Sequence, residues 1–395
     1  MFVPPYFEFV NSAKLLAGEY ALENIPSEMR LLGSSRPMIL SDSTLEKIGT
    51  VSVLIQALSK GGMKPSAVYT DIPLDSSIEK VNEISAIYRE NNADGIIAIG
   101  GGSVIDTAKG LKMLISQGGR DIMNYVGSEM LGRGQSVPFT AIPTTSGTGS
   151  EATGVAVIKD GERKVKLEFI SSFLLPDIAV LDVRALESMP ARITALTGLD
   201  ALTHAIEAYS CLQKNPISQC YALSAIKLIV ENLEEAIRKP KDKKARISMA
   251  IASYIAGAAF SNSMVGIVHA IGHSVGGVCS VAHGEAMTIL LPVCMRYNLG
   301  FADDDYADLL LYLSDAETYA STEKTRRAEK AVEVVENFIS RIKAAAPIAT
   351  NLSERGVRRS DFEQIAIRAM NDGALIVNPR SADKDDILKI LEKAF

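Results

Sequence analysis

The sequence predicts an α/β protein in two parts, an N-terminal doubly wound parallel-sheet domain over residues 1–189 and an all-helical domain over residues 190–395. Three observations carry this. Short apolar runs alternate with helical stretches in the first half, the alternation stops after Met189-Pro190, and all four histidines lie beyond that point. Strand–helix alternation with short links builds parallel sheets through right-handed crossovers. At 395 residues the chain is longer than one core usually supports, so two domains are expected.

Taken in order, Pro37-Met38-Ile39-Leu40 is an apolar run closed by Ser41-Asp42, and Ser66-Ala67-Val68-Tyr69 is a second. Gly95-Ile96-Ile97-Ala98-Ile99 is apolar throughout, as a strand buried on both faces should be. Residues 45–60 and 78–91 alternate polar and apolar positions at helical period. Ile178-Ala179-Val180-Leu181-Asp182 reads as the last strand of the layer. Beyond residue 190, helical patterns cover 196–211, 218–237, 245–260, 283–297 and 326–344, with little that alternates at period two.

Composition excludes several classes. A hydrophobic fraction of 47% and a charged fraction of 22% are those of a globular protein with ample core material. The net charge of −6 comes with no basic stripe, so neither nucleic acid nor an anionic membrane is an expected partner. The cluster Lys239–Lys244, flanked by Arg238 and Arg246, reads as a solvated link between helices. Cys211, Cys220, Cys279 and Cys294 form no C-x-x-C pair and no disulfide framework, as expected of a cytoplasmic protein. The N-terminal MFVPPYFEFV has neither the basic start nor the apolar core of a signal peptide. The longest apolar stretch, residues 247–260, is too short to span a bilayer and reads as a buried helix.

After the strand at 95–99 comes Gly100-Gly101-Gly102-Ser103-Val104-Ile105-Asp106-Thr107-Ala108-Lys109. Glycines between a strand and a helix let backbone N–H groups approach an anion, and the helix N-terminus adds partial positive charge. The spacing is not G-x-G-x-x-G, because Ile105 occupies the third glycine position, and no Walker lysine follows. A second loop, Pro143-Thr144-Thr145-Ser146-Gly147-Thr148-Gly149-Ser150-Glu151, brings hydroxyls and flexible backbone to the end of another short strand, where ligand loops of open α/β sheets collect. The two loops are expected to hold a nucleotide. Asp42 is placed to accept hydrogen bonds from a ribose diol and to repel a 2′-phosphate, although an aspartate there also suits a helix cap.

The four histidines are His204, His269, His273 and His283. Asp200 precedes His204 by four residues, which puts carboxylate and imidazole on one helix face, and His269 and His273 repeat the spacing. One carboxylate with two or three imidazoles suits a borderline divalent metal with positions open to water or substrate. Spacing alone does not choose among the three later histidines.

GGGSVIDTAK, AIPTTSGTGSE, TGLDALTHAIE and FSNSMVGIVHAIGHSVGG followed by VAHGEA together resemble the iron-containing (group III) alcohol dehydrogenase family, from about residue 37 to the C-terminus. The resemblance implies a nucleotide-binding α/β domain, a metal-binding helical domain and a homodimer or higher oligomer. It implies Asp200, His204, His269 and His283 as metal ligands, with Fe²⁺ favoured and Zn²⁺ the alternative. His273 matches the non-ligand histidine near the nicotinamide, expected either to pass a proton to solvent or to orient its neighbours. Gly100, Gly101, Gly102, Ser103 and Asp106 match the pyrophosphate motif, Thr144, Thr145 and Thr148 the hydroxyl loop, and Lys166 a lysine facing the nucleotide. Asp42 matches the acidic residue that favours NAD over NADP. Val155 and Phe260 match substrate-pocket positions.

Two segments depart from the pattern. Leu74-Asp75-Ser76-Ser77 stands where the family often has Pro-Asn-Pro-Thr, and Leu375-Ile376-Val377 precedes Asn378-Pro379-Arg380 where relatives carry Thr-Gly-Asn or Thr-Gly-Gly. The second predicts a narrower, more apolar pocket if the segment lines it. The expected reaction is reversible hydride transfer between a nicotinamide and a small alcohol, or its aldehyde or ketone. A non-redox enzyme on a dehydroquinate-synthase-like scaffold would need basic residues around the metal, and the 200–283 segment offers only Lys214 and Lys227 outside the link at 238–246. A non-catalytic, metal-stabilised nucleotide sensor is the other alternative.

Overall fold

The computed structural model describes residues 3–127, 132, 134–163 and 165–395. The chain divides into two compact units, Val10–Met189 on the one hand and Pro190–Phe395 with residues 3–9 on the other. The first unit runs β1 (Lys14–Ala17), α1 (Ile25–Leu31), β2 (Met38–Leu40), α2 (Ser43–Lys47), α3 (Thr50–Lys60), β3 (Ala67–Tyr69), α4 (Ile78–Glu90), β4 (Ile96–Gly100) and α5 (Gly102–Ser116). It continues with β5 (Phe139–Pro143), β6 (Val155–Asp160), β7 (Val165–Ile170), β8 (Ile178–Leu181) and α6 (Val183–Leu186).

Six strands form one sheet in the order β1-β8-β5-β4-β2-β3, and every pair is parallel. The central strands β4, β5 and β8 are buried along their whole length, which is why their sequences are apolar rather than alternating. Ile97 and Ile99 face a core shared with Leu54 and Leu58 of α3, whereas Ile96 and Ala98 face one shared with Ile105, Ala108 and Leu111 of α5. Helices therefore cover both faces. From β2 the chain steps outward to β3, but from β4 it steps the other way, through β5 to β8. The strand order reverses between β2 and β4, and ligands of open α/β sheets bind beyond the strand C-termini at such a reversal.

Three details differ from expectation. The predicted helix at 45–60 is two helices, broken where Gly49 takes φ 90°, a left-handed conformation that only glycine adopts at no cost. β1 was not predicted; it is an edge strand paired only with β8 among the described residues, and its exposed face lacks the apolar run that marks a buried strand. The β6–β7 antiparallel hairpin was also missed. Ala156, Ile158 and Phe169 sink into a small core with Ile78 and Val81, while Val157 and Val165 stay exposed.

The second unit consists of α7 (Ala191–Ser210), α8 (Pro216–Arg238), α9 (Lys243–Phe260), α10 (Ile267–Cys279), α11 (His283–Asn298), α12 (Asp303–Leu313), α13 (Ala316–Ser321), α14 (Arg327–Ala345), α15 (Phe362–Ala369) and α16 (Lys384–Ala394), with no strand among the described residues. Phe9 belongs with it, stacked on Tyr221 at 5.4 Å. α8 opens with Pro216 at its first position and a capping box between Asn215 and Ser218, so its start is set locally. Arg246 corrects the reading of 238–246 as solvated throughout. It is fully buried on α9, donating from Nη1 to Thr194 Oγ1 at 2.6 Å and from Nε to the Pro240 carbonyl at 2.9 Å. Among the described residues, no helix is long and apolar enough to cross a membrane.

Candidate metal centre and nucleotide loops

Three helices bring the acidic and histidine side chains together. α7 supplies Asp200 and His204 from one buried face, α10 supplies His269, and His283 is the first residue of α11. Two glycines allow the approach. A Cβ at Gly284 would stand 2.9 Å from the Leu196 carbonyl oxygen of α7, and one at Gly272 would strike Met287 of α11. Glu285 anchors the first turn of α11 by accepting from Arg192 at 2.5 Å and pairing with Arg355 at 2.9 Å.

Asp200, His204, His269 and His283 offer ligand atoms that all lie within 4.8 Å of one another. His283 Nε2 stands 3.2 Å from Asp200 Oδ1, and the His204 and His269 rings stack at 4.6 Å. His204 Nδ1 and His269 Nε2 are buried without a hydrogen-bond partner among the described residues, and the buried Asp200 Oδ1 has only the His283 contact. An unpaired buried polar atom costs about 1–3 kcal/mol, a deficit that a cation held by these residues reduces. The donor set fits a divalent metal.

The electrostatics agree. Burial pushes His204 down to about 3, and burial with His283 and His273 nearby holds His269 well below the ordinary imidazole range. Neutral imidazoles are the form that binds metal. Burial alone would raise the Asp200 carboxyl, but His204 and His283 outweigh it and hold the group well below the usual carboxylate range.

His273 lies outside the four-membered set. Its ring is stacked on His283 at 5.5 Å, and its Nδ1 faces Asp372 Oδ2 at 2.9 Å. The Phe260 ring stacks on His204 at 4.3 Å, so this pocket candidate forms an apolar wall of the metal centre. Of the departing segment, Val377 is buried and Ile376 is 80% exposed. Asp372 escaped sequence reasoning because it lies 99 residues from His273 with no pattern linking them. Glu207 escaped too. It is buried on α7 with Oε2 2.5 Å from His269 Nδ1, and burial pushes its carboxyl up to about 7. Its signal was present, since positions 200, 204 and 207 form one helical stripe. Lys214 and Lys227, the cations that a polyanion-binding rival would use, pair with Asp305 and Glu231.

In the α/β unit the two loops meet. Gly101 caps α5, and the Thr144 N–H donates to the Gly100 carbonyl at 3.0 Å. A Cβ at Gly101 would lie 3.6 Å from Thr145, and one at Gly102 only 3.2 Å from Thr148. Asp42 follows β2, on the other side of the strand-order reversal, and Oδ1 caps α2 by accepting from the Thr44 and Leu45 N–H groups. Ser103 Oγ bonds the Leu74 carbonyl. Lys166 Nζ pairs with Asp75 at 3.1 Å, both half exposed. Asp106 faces inward, accepting from Ser150 Oγ at 2.6 Å and the Val157 N–H at 3.1 Å, and so braces the second loop. Val155 begins β6, and its carbonyl accepts from Lys109 at 2.6 Å.

Comparison with known proteins gives the family. A profile described as "Iron-containing alcohol dehydrogenase" matches residues 12–183, and one described as "Fe-containing alcohol dehydrogenase family, C-terminal" matches residues 194–395. The chain belongs to the iron-containing alcohol dehydrogenase family. It is 33% identical over 387 residues to an NAD-dependent methanol dehydrogenase of Bacillus methanolicus, covering 98% of this chain and 99% of that one. It is 34% identical to a 1,3-propanediol dehydrogenase of Klebsiella pneumoniae, with 96% of each chain covered. The crystal structure of a 1,3-propanediol oxidoreductase superposes with a TM-score of 0.92 at 33% identity, over 99% of this chain and 100% of that one.

Proposed function

We infer that this member of the family is a metal-dependent, NAD(H)-linked alcohol dehydrogenase or aldehyde reductase acting on a small alcohol or its carbonyl partner. The observation that carries it is the convergence of buried Asp200, His204 and His269 with the more exposed His283 on one point. These residues would hold the iron, and Zn²⁺ would fit the same set. When bound, the metal supplies Lewis acidity toward the substrate oxygen, and the nicotinamide accepts or returns the hydride.

The chain's own residues do the rest. Phe260 backs His204 with an apolar face that excludes water, and Val155 matches a substrate-pocket position of the family. His273, oriented by Asp372 at Nδ1, carries the proton between the carbinol oxygen and solvent. Gly100, Gly101, Gly102 and Ser103 present backbone N–H groups at the start of α5 to the pyrophosphate, and Thr144, Thr145 and Thr148 add hydroxyls. Asp106 keeps the second loop in place, Asp42 takes the ribose diol, and Lys166 faces the nucleotide. Four free cysteines support a cytoplasmic location. The edge strand β1, paired only with β8 among the described residues, supports a homodimer or higher oligomer.

The test is a panel of short alcohols and aldehydes followed at the NADH absorbance, using Fe²⁺- or Zn²⁺-loaded protein. Turnover is expected with at least one substrate, and His269→Ala and His283→Ala are expected to lose turnover and bound metal together. Undiminished activity after the metal has been stripped would overturn the reading.

A further inference from the structure

Glu207 lies one helical turn beyond His204 and is buried, with its two carboxylate oxygens committed in different directions. Oε1 accepts the Val268 N–H at 2.8 Å, and Oε2 stands 2.5 Å from His269 Nδ1. A Cβ at Gly266 would come within 3.0 Å of Glu207 Oε1 and 2.9 Å of Asn378 Oδ1, so the start of α10 is moulded to these two side chains. Asn378 completes the clamp by accepting the Ile267 N–H at 3.2 Å and donating to Asn298 Oδ1 at 2.8 Å. On the far edge of the imidazole, His269 Nε2 has no hydrogen-bond partner among the described residues.

A neutral imidazole carries one N–H and one lone pair, and an ionised carboxylate can only accept. With Glu207 ionised and Oε2 against Nδ1, the proton sits on Nδ1 and the lone pair is left at Nε2. We propose that Glu207 is a positioning residue for the metal centre, fixing the tautomer and orientation of His269 so that Nε2 is offered as a ready ligand. The proposal rests on the metal reading of the Asp200, His204, His269 and His283 cluster. Carboxylate partners of ligating histidines typically contribute 10–100-fold to metal affinity.

Glu207→Gln separates this role from helix capping. The Val268 N–H requires the amide oxygen at the Oε1 position, because turning the amide over would set two donors face to face. The amide NH₂ must then point at His269 Nδ1, where it stabilises the opposite tautomer and puts the proton on Nε2. Apo Glu207→Gln is therefore expected to melt like apo wild type yet bind Co²⁺ about 10–100-fold more weakly, with an altered d–d spectrum. A second measurement needs no variant. Long-range ¹H–¹⁵N spectra of histidine-labelled apo wild type, recorded at about pH 9, above the raised Glu207 carboxyl, should show His269 protonated at Nδ1.

Wild type that takes up no Co²⁺ would remove the metal reading itself. Wild type that binds Co²⁺ while folded Glu207→Gln binds it equally well would remove the role of Glu207 alone. A His269 proton found on Nε2 would overturn the proposal even if the variant fails to fold.

Discussion

Asp42 has two uses for one carboxylate. Its Oδ1 caps α2 through the Thr44 and Leu45 N–H groups at 2.8 and 3.0 Å, and it stands beside the strand-order reversal where a ribose would lie. The uses separate on substitution. Glycine is tolerated at a helix N-cap, so Asp42→Gly should cost only a few tenths of a kcal/mol, roughly 0.3. It removes the charge that repels a 2′-phosphate, so the ratio of kcat/KM for NAD over NADP should fall by tenfold or more. Wild type that already prefers NADP would contradict the assignment. Legibility at this scale followed spacing. Asp200 and His204 were readable because one helical turn joins them. Glu207 lay on the same stripe, but a glutamate there reads equally well as a solvated position, and only the fold shows it buried against His269. Asp372 had no pattern to betray it, since a loop closes the distance to His273.

Helices with their own start signals were read to within a residue or two. α4 begins at Ser77, whose side chain accepts from the Lys80 N–H, and α8 at its capping box. What sequence could not show was the support beneath the second loop, which is tertiary. Lys109 is fully buried in α5 and donates to Ser150 Oγ, Thr153 Oγ1 and the Val155 carbonyl, with Asp106 at 3.8 Å. Glu151 is buried nearby, and its Oε1 has no partner among the described residues. Burial pushes Glu151 up to about 7 from an ordinary 4.5, and burial pushes Lys109 down to about 8 from 10.5. The signs differ. Between about pH 4.5 and 7 the folded state holds a proton on Glu151 that the unfolded state has released, so stability falls as pH rises. Between about pH 8 and 10.5 the unfolded state holds the extra proton, on lysine, so stability rises again. Glu151→Gln should remove its own share of the falling limb, about 1.4 kcal/mol per pH unit at its steepest, while Glu207, raised by burial in the same way, keeps its share. Urea denaturation at pH 5 and pH 7.5 reads this directly, and an unchanged decline in the variant would refute it.

At the scale of the whole molecule, the chemistry is divided between two units with separate cores. The glycine and threonine loops belong to Val10–Met189, whereas Asp200, His204, His269 and His283 all belong to Pro190–Phe395. A ligand that binds only the folded state stabilises it by RT ln(1 + [L]/Kd), about 2.7 kcal/mol at a hundredfold excess over Kd. Metal therefore adds its free energy to the unit that holds the ligands. It also relieves the cost of burying a ligand atom such as His269 Nε2 without a partner among the described residues. Units with their own cores can open separately, and hydrogen exchange resolves such openings. Comparing metal-loaded with chelated protein, amides of α7, α10 and α11 should slow by up to about a hundredfold, the equivalent of that 2.7 kcal/mol. Those of β4 and β5 should be unchanged. An equal slowing in the sheet would mean that the two units open as one. No slowing in α7 would mean that its carboxylate and imidazole do not bind the ion, and the oxidoreductase reading would lose its metal.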